Sequence, residues 1–305
     1  MRRAYGIGET VYDIIFKEDQ PLSAVPGGSA FNSIISLGRS GIPTSFIGQV
    51  GDDHVGQLMV NFLQDNNVDA TYVNIQQNTK SHLSLAFLNE QNDAQYQFYK
   101  DHNSVQLGDA LPQLQQGDVV LFGSFFAINP LIRPQVRKFL SMAKANGAII
   151  YYDINFRKPH IADLDRTMQN IIENYGFADV VRGSTEDFGN MIGITDAQQI
   201  YHEHLSKYCP NFICTDGAGS IKVITPNFQA TYPVKKIETV STIGAGDSFN
   251  AGFVHGLIKE DISKQQFAQL DEAQWAKLVA YGQAFSSRVC QSIYNYVEKG
   301  FVPLE

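Results

Sequence analysis

The residues best placed to do chemistry stand together in Thr242-Ile243-Gly244-Ala245-Gly246-Asp247-Ser248-Phe249-Asn250. Two glycines flank an alanine, a carboxylate follows, and Phe249, Phe253, Val254 and Leu257 then recur at helical spacing. That order predicts a tight loop entering a helix, with Asp247 at the junction. The first N–H groups of a helix are unpaired and carry partial positive charge, so Gly244, Ala245 and Gly246 offer an anion site. A carboxylate beside such a site can take the proton of a hydroxyl that attacks phosphorus. The same residues are equally a glycine turn followed by an Asp N-cap, a common way to begin a helix.

Further candidates lie upstream. Asp13 stands among Val11, Ile14, Ile15 and Phe16, as a ligand-binding carboxylate or as a strand-end aspartate facing water. Gly27-Gly28 lead into a helix whose Phe31, Ile34, Ile35 and Leu37 favour one side, and Asn32 on it can both donate and accept hydrogen bonds. Gly6 and Gly8 begin a Gly-x-Gly-x-x-Gly pattern, but Val11 occupies the third glycine position, so a dinucleotide fingerprint fails; no Walker pattern occurs either.

These residues need elements to hold them. Continuous apolar runs at 4–8, 118–123, 148–153 and 178–181, with a helix-like stretch over 130–146, predict a parallel sheet covered on both faces. Asp153-Ile154-Asn155-Phe156-Arg157 ends one run, and ligands of open α/β sheets gather at strand carboxyl ends. Thr215-Asp216-Gly217-Ala218-Gly219-Ser220 reads as a turn after another strand. Leu83, Leu85 and Phe87 alternate with their neighbours, as do Tyr96, Phe98 and Lys100 across a turn at 89–93, so a hairpin is expected there.

Ile243-Gly244-Ala245-Gly246-Asp247 resembles the signature near the C-terminus of the ribokinase-like (PfkB-type) sugar and nucleoside kinases, and looser matching segments follow that family's order from Asp13 to the last helix. The resemblance implies an α/β fold: one ribokinase-like domain over 1–305, a three-layer α/β/α arrangement with a mostly parallel central sheet. A small β lid would come from roughly 10–28 and 70–102, and in the family such a lid often supplies a homodimer contact. Asp247 would be the catalytic base, with the amides of Gly244, Ala245 and Gly246 receiving the transferred phosphate. Asp13, Gly27, Gly28 and Asn32 would bind sugar hydroxyls, joined by Lys100 on the lid strand and by Asn155 and Arg157. Thr215, Gly217 and Gly219 would form the nucleotide turn with ATP, Thr242 would flank the phosphate loop, and Tyr281 and Gly282 would lie beside the adenine.

Glu186 matches the family carboxylate that helps to place Mg²⁺, although Gly183 stands where Asn is usual. A capping-box role for Glu186 after Ser184 or Gly183 is the alternative. Ser241 replaces an Asp that helps to build a monovalent-cation site in the family, which leaves K⁺ activation open. Asp52 and Asp53 are assigned capping and hinge roles, and His54 a surface position. The resulting expectation is an ATP-dependent sugar kinase. Tyr96 to Lys100 and Arg182-Gly183-Ser184 favour fructose ahead of ribose, related sugars and nucleosides. A sugar-sensing binding protein is the non-enzyme alternative, against which the intact Asp247 weighs.

Bulk properties agree with that class. The 305 residues include 23 basic and 31 acidic side chains, a net charge of −8, and no basic run, so nucleic acid is not an expected partner. Hydrophobic content of 44% with 18% charged residues fits a folded globular enzyme. The N-terminal residues supply no hydrophobic signal core and no run reaches membrane-spanning length. Cys209, Cys214 and Cys290 are odd in number and lack metal-ligand spacing, as expected of reduced thiols in a cytoplasmic protein.

Overall fold

The chain is described by a computed structural model over residues 2–89, 94–100 and 106–304. Strand β1 (Ala4–Ile7) is buried at every position and lies inside the larger sheet, which is why its side chains show no polar alternation. The chain then leaves that sheet for the antiparallel pair β2 (Val11–Lys17) and β3 (Gln20–Gly27), and helix α1 (Ser29–Arg39) returns it to β4 (Thr44–Gly51) beside β1. Helix α2 (His54–Asp65) begins after Asp53, whose carboxylate accepts from the Gly56 N–H at 2.9 Å. The same carboxylate accepts from the Ser81 N–H at 3.0 Å, and Asp52 accepts from Asn78 N–H at 3.0 Å, so both aspartates tie the start of α2 to the chain approaching the lid. His54 is exposed, as expected.

Strands β5 (Val68–Asp69) and β6 (Val73–Gln76) both pair with β4. The hairpin follows as β7 (Leu83–Leu88) and β8 (Ala94–Tyr99), with Leu83 opposite Tyr99. The remaining strands are β9 (Val119–Gly123), β10 (Ile149–Asp153), β11 (Val180–Ser184), β12 (Phe212–Thr215), β13 (Ser220–Ile224) and β14 (Gln229–Pro233). Between β9 and β10 come α3 (Ser124–Ile128) and α4 (Arg133–Ala145), then α5 (Leu164–Phe177), α6 (Thr185–Ile192) and α7 (Ala197–Ile200). After β14 come α8 (Ala245–Lys259), α9 (Lys264–Phe267) and α10 (Glu272–Cys290).

The ten-stranded sheet runs β14-β13-β12-β11-β10-β9-β1-β4-β5, with β6 also on β4; β13 pairs antiparallel with both β12 and β14, and the other pairs are parallel. Phe31, Met59, Phe253 and Trp275, from α1, α2, α8 and α10, belong to the core on one face. Phe126, Phe139, Ile171 and Phe188, from α3 to α6, belong to the core on the other. Three layers result. A separate sheet, β3-β2-β7-β8, forms the lid, in which β2 and β7 run parallel.

Two expectations change in detail. The helix-like run over 130–146 is the single helix α4, which starts at Arg133 with Pro134 in its first turn, where a missing N–H costs nothing, and the short α3 precedes it. Residues 73–76 form β6 of the central sheet, so the described lid strands span 11–17, 20–27, 83–88 and 94–99 rather than starting near 70. Residues 101–102 of the expected lid, and 90–93 of its expected turn, lie outside the described residues.

Candidate active site

Helix α8 begins at Gly244, the N-cap residue, with φ of 76°. A side chain would be strained at that angle, and a Cβ there would also lie 2.6 Å from the carbonyl oxygen of Asn295. The segment after α10 therefore presses directly on the turn. It is anchored to α1 in turn, because Arg39 Nη1 donates to the Val297 carbonyl at 2.8 Å. Asp247 falls in the first turn of α8 and is not its N-cap, which removes the capping alternative.

The N–H of Ala245 donates to the Thr242 carbonyl at 3.2 Å, so that amide is not free as expected. Among the described residues, the N–H groups of Gly246 and Asp247 have no backbone partner. They form the anion-receptive end of a 15-residue helix. Thr242 is exposed just before the turn, and the Ser241 hydroxyl accepts from the Ile243 N–H at 3.2 Å.

One face of α1 holds Asp247. Ser29 Oγ donates to Oδ1 at 2.7 Å, and Asn32 Nδ2 donates to Oδ2 at 2.9 Å. Ser33 Oγ donates to the backbone carbonyl of Asp247 at 2.8 Å. Positions 29, 32 and 33 share a helix face, so one turn of α1 presents all three donors. Burial pushes the Asp247 carboxyl up to about 6, against the hydrogen bonds from Asn32 and Ser29; the charge of Asp153 adds to the rise and that of Arg157 opposes it. Asn32 is buried, and its Oδ1 has no partner, leaving an acceptor beside the base.

Asp13 lies on β2 between β3 and β7. Ser84 Oγ donates to its Oδ1 at 2.5 Å, and a Cβ on Gly27 would come within 2.4 Å of its Oδ2. Glycine at 27 is thus the condition for a carboxylate at 13. Burial pushes Asp13 up to about 6, and the negative charge of Asp247 contributes to the rise. Gly28, with φ of 124°, turns the chain from β3 into α1.

Lys100 is tied to a residue that sequence reasoning missed. Its Nζ donates to Glu9 Oε2 at 2.8 Å, while His82 Nδ1 lies 2.9 Å from Oε1. Burial opposes ionisation of Glu9, but the His82 hydrogen bond and the Lys100 charge outweigh it and hold the carboxyl at about 2. All three residues stand where the lid joins the rest of the chain. Across the cleft, Asn155 Nδ2 donates to Ser124 Oγ at 2.7 Å and Arg157 is exposed.

Beneath the Gly244 turn lies a second missed constellation. Arg182 on β11 donates through Nη1 to Asp153 Oδ1 at 3.0 Å and through Nη2 to Thr215 Oγ1 at 2.7 Å. Asn250 of α8 donates to Asp153 Oδ2 at 2.8 Å and accepts from the Tyr151 hydroxyl at 2.8 Å. A Cβ on Gly246 would lie 3.1 Å from Arg182 Nη1, so the guanidinium packs under the turn itself. Thr215 is therefore buried and engaged. Gly217 and Gly219 form the turn that follows, in which the Gly219 N–H donates to the Asp216 carbonyl at 2.7 Å.

Glu186 is exposed in the first turn of α6; the capping box there is made by Ser184 and Asp187, which corrects a capping-box role for Glu186. Among the described residues no group of three or more His, Cys, Asp or Glu is arranged to hold a metal ion. Tyr281 and Gly282 pack against α8. The Tyr281 hydroxyl donates to Glu260 at 2.7 Å, beyond the far end of α8 and about 20 Å along the helix from Asp247. A Cβ on Gly282 would meet the Phe249 ring at 2.6 Å, so this glycine serves the close packing of α10 on α8.

The sequence profile of the pfkB family carbohydrate kinases matches residues 1–296. A fructokinase of Rhizobium leguminosarum bv. trifolii is 28% identical over 274 residues, covering 87% of this chain and 83% of its own. Fructokinase-2 of Solanum habrochaites is 26% identical over 303 residues, covering 96% and 88%. Among solved structures, a fructokinase double mutant from Vibrio cholerae O395, bound to fructose, ADP and potassium ion, matches with a TM-score of 0.84 at 22% identity, covering 97% of this chain and 94% of its own. Aminoimidazole riboside kinase from Salmonella enterica, complexed with aminoimidazole riboside and an ATP analog, matches with a TM-score of 0.82 at 21% identity, covering 96% and 95%.

Proposed function

Because this chain belongs to the pfkB family of carbohydrate kinases, we propose that it transfers the γ-phosphoryl group of ATP to a primary hydroxyl of fructose. The observation that carries the reading is Asp247, held by Ser29 and Asn32 beside the unpaired N–H groups of Gly246 and its own backbone. Asp247 takes the proton of the attacking hydroxyl. The free N–H groups at the start of α8 meet charge that grows on the phosphoryl oxygens. Asp13, the unpartnered Asn32 Oδ1 and Lys100 orient the sugar, and the lid excludes water that would otherwise hydrolyse ATP.

Bound Mg²⁺ neutralises phosphate charge in this chemistry. An ion carried largely by phosphates and water needs few protein ligands, and exposed Glu186 beside the nucleotide turn fits that role. Fructose is favoured because the curated relatives quoted above are named fructokinases and the Vibrio structure holds fructose. The outer lid face, with Ile14, Phe16, Leu85 and Phe87 on the side opposite Asp13 and Ser84, fits a second copy of the chain. No helix among the described residues is long and apolar enough to cross a membrane, and we place the enzyme in the cytoplasm.

The test is a panel of fructose, ribose, other small sugars and nucleosides, read by sugar-dependent ADP release. Fructose should give the highest kcat/KM. A higher value for ribose or a nucleoside would replace fructose as substrate, and ADP release from none of them would remove the kinase reading.

A further inference from the structure

We propose that Ser29 is itself a phosphoryl acceptor, modified by ATP bound at the Gly244 turn when the sugar site is empty. The inference rests on the phosphotransferase reading of that site. A nucleophilic hydroxyl and its general base must lie within hydrogen-bond reach, and Ser29 Oγ lies 2.7 Å from Oδ1 of Asp247. Asn32 holds the other carboxylate oxygen, so the base is fixed toward Ser29. The anion-receptive N–H of Asp247 belongs to the same residue as the base, which brings nucleophile, base and phosphate site together.

Neighbouring hydroxyls do not share this geometry. Ser33 is fully buried, and its hydroxyl serves the backbone carbonyls of Ser29 and Asp247 instead of the carboxylate. Ser29 is half-buried and opens α1 directly after Gly27-Gly28, so no side chain from those two residues screens it. In the step, the Oγ proton passes to Oδ1 of Asp247 while the bond from Oγ to the γ-phosphorus forms. The bond from that phosphorus to the bridging oxygen breaks, ADP leaves with the electron pair, and Asp247 releases its proton to solvent. Phosphoserine at 29 would place a dianion beside Asp13 and Asp247 and close the sugar site. A bound sugar hydroxyl displaces Ser29 from Asp247 and so protects it.

The experiment incubates the full chain with ATP and Mg²⁺, with and without the sugar that the panel shows to be phosphorylated, followed by intact mass spectrometry and peptide mapping. We expect one added phosphoryl group at Ser29 without sugar, its suppression by saturating sugar, and its loss in Asp247→Asn. A preparation that phosphorylates sugar yet leaves Ser29 unmodified overturns the inference alone. So does label that maps elsewhere or persists in Ser29→Ala. A preparation that modifies neither sugar nor Ser29 overturns both the inference and the kinase reading beneath it.

Discussion

The charge of Asp247 on α8 raises the pKa of Asp13 on the lid strand β2. One carboxylate is assigned to the reacting hydroxyl and the other to the body of the sugar, so the two roles are electrically coupled across the cleft.

Activity should therefore fall on acidification with a midpoint near the Asp247 value of about 6. The sign follows from the role, since the base must be ionised and protonation below that pH removes it. Asp13→Asn deletes a like charge and should move the acid limb of kcat, at saturating sugar, to lower pH. A pH–rate profile of the two enzymes checks this; an unmoved limb would show that the sites titrate independently.

Asp247→Asn should lower turnover by about a hundredfold or more, the usual scale for loss of a positioned base. The start of α8 is set by Gly244 and not by Asp247, so the helix should remain intact. Single-turnover kinetics and circular dichroism test the two halves. Turnover near wild type would assign proton transfer to another group.

Asp13→Ala should raise the sugar KM strongly and change the ATP KM little. The carboxylate lies in the lid next to Gly27, where the proposed reading gives it the sugar hydroxyls and no contact with the nucleotide. Initial rates with each substrate varied in turn measure both constants. A raised ATP KM would misplace the sugar site.

Arg182→Met leaves Asp153 buried without its cationic partner, and such losses cost about 3–5 kcal/mol. Adding Asp153→Asn should restore part of that stability, because the orphaned charge is gone. Urea unfolding of the single and double variants gives the comparison, and equal stabilities would show that the pair is not coupled.

Ser241 supplies a hydroxyl where the resembling kinases carry a carboxylate. Rates in Na⁺ should therefore stay close to rates in K⁺ at constant ionic strength. A strong preference for K⁺ would mean that backbone carbonyls suffice for the cation.

How much of this was legible in the sequence depended on distance along the chain. Gly244 to Asp247 could be read because turn, anion site and base are contiguous, and the parallel strands because burial on both faces leaves unbroken apolar runs. Arg182 could not. Its partners Asp153 and Thr215 are brought to it only by the order of β10, β11 and β12 in the sheet. Glu9, His82 and Lys100 are likewise joined only by the folding back of the lid. Helical spacing identifies α10 as a helix but does not say which part of α8 Tyr281 and Gly282 meet. Glu186 and Asp187 are adjacent acids, and which of them serves the cap is decided by the local hydrogen bonds of Ser184.

The pressure of Asn295 on Gly244 has a consequence for biosynthesis. Asp13, Gly27 and Asn32 precede in the chain the segment at 295 that forms the wall behind the Gly244 turn, so they are made before it. On the proposed reading of the Gly244 turn, a nascent chain can transfer phosphate only after residue 295 has emerged and docked.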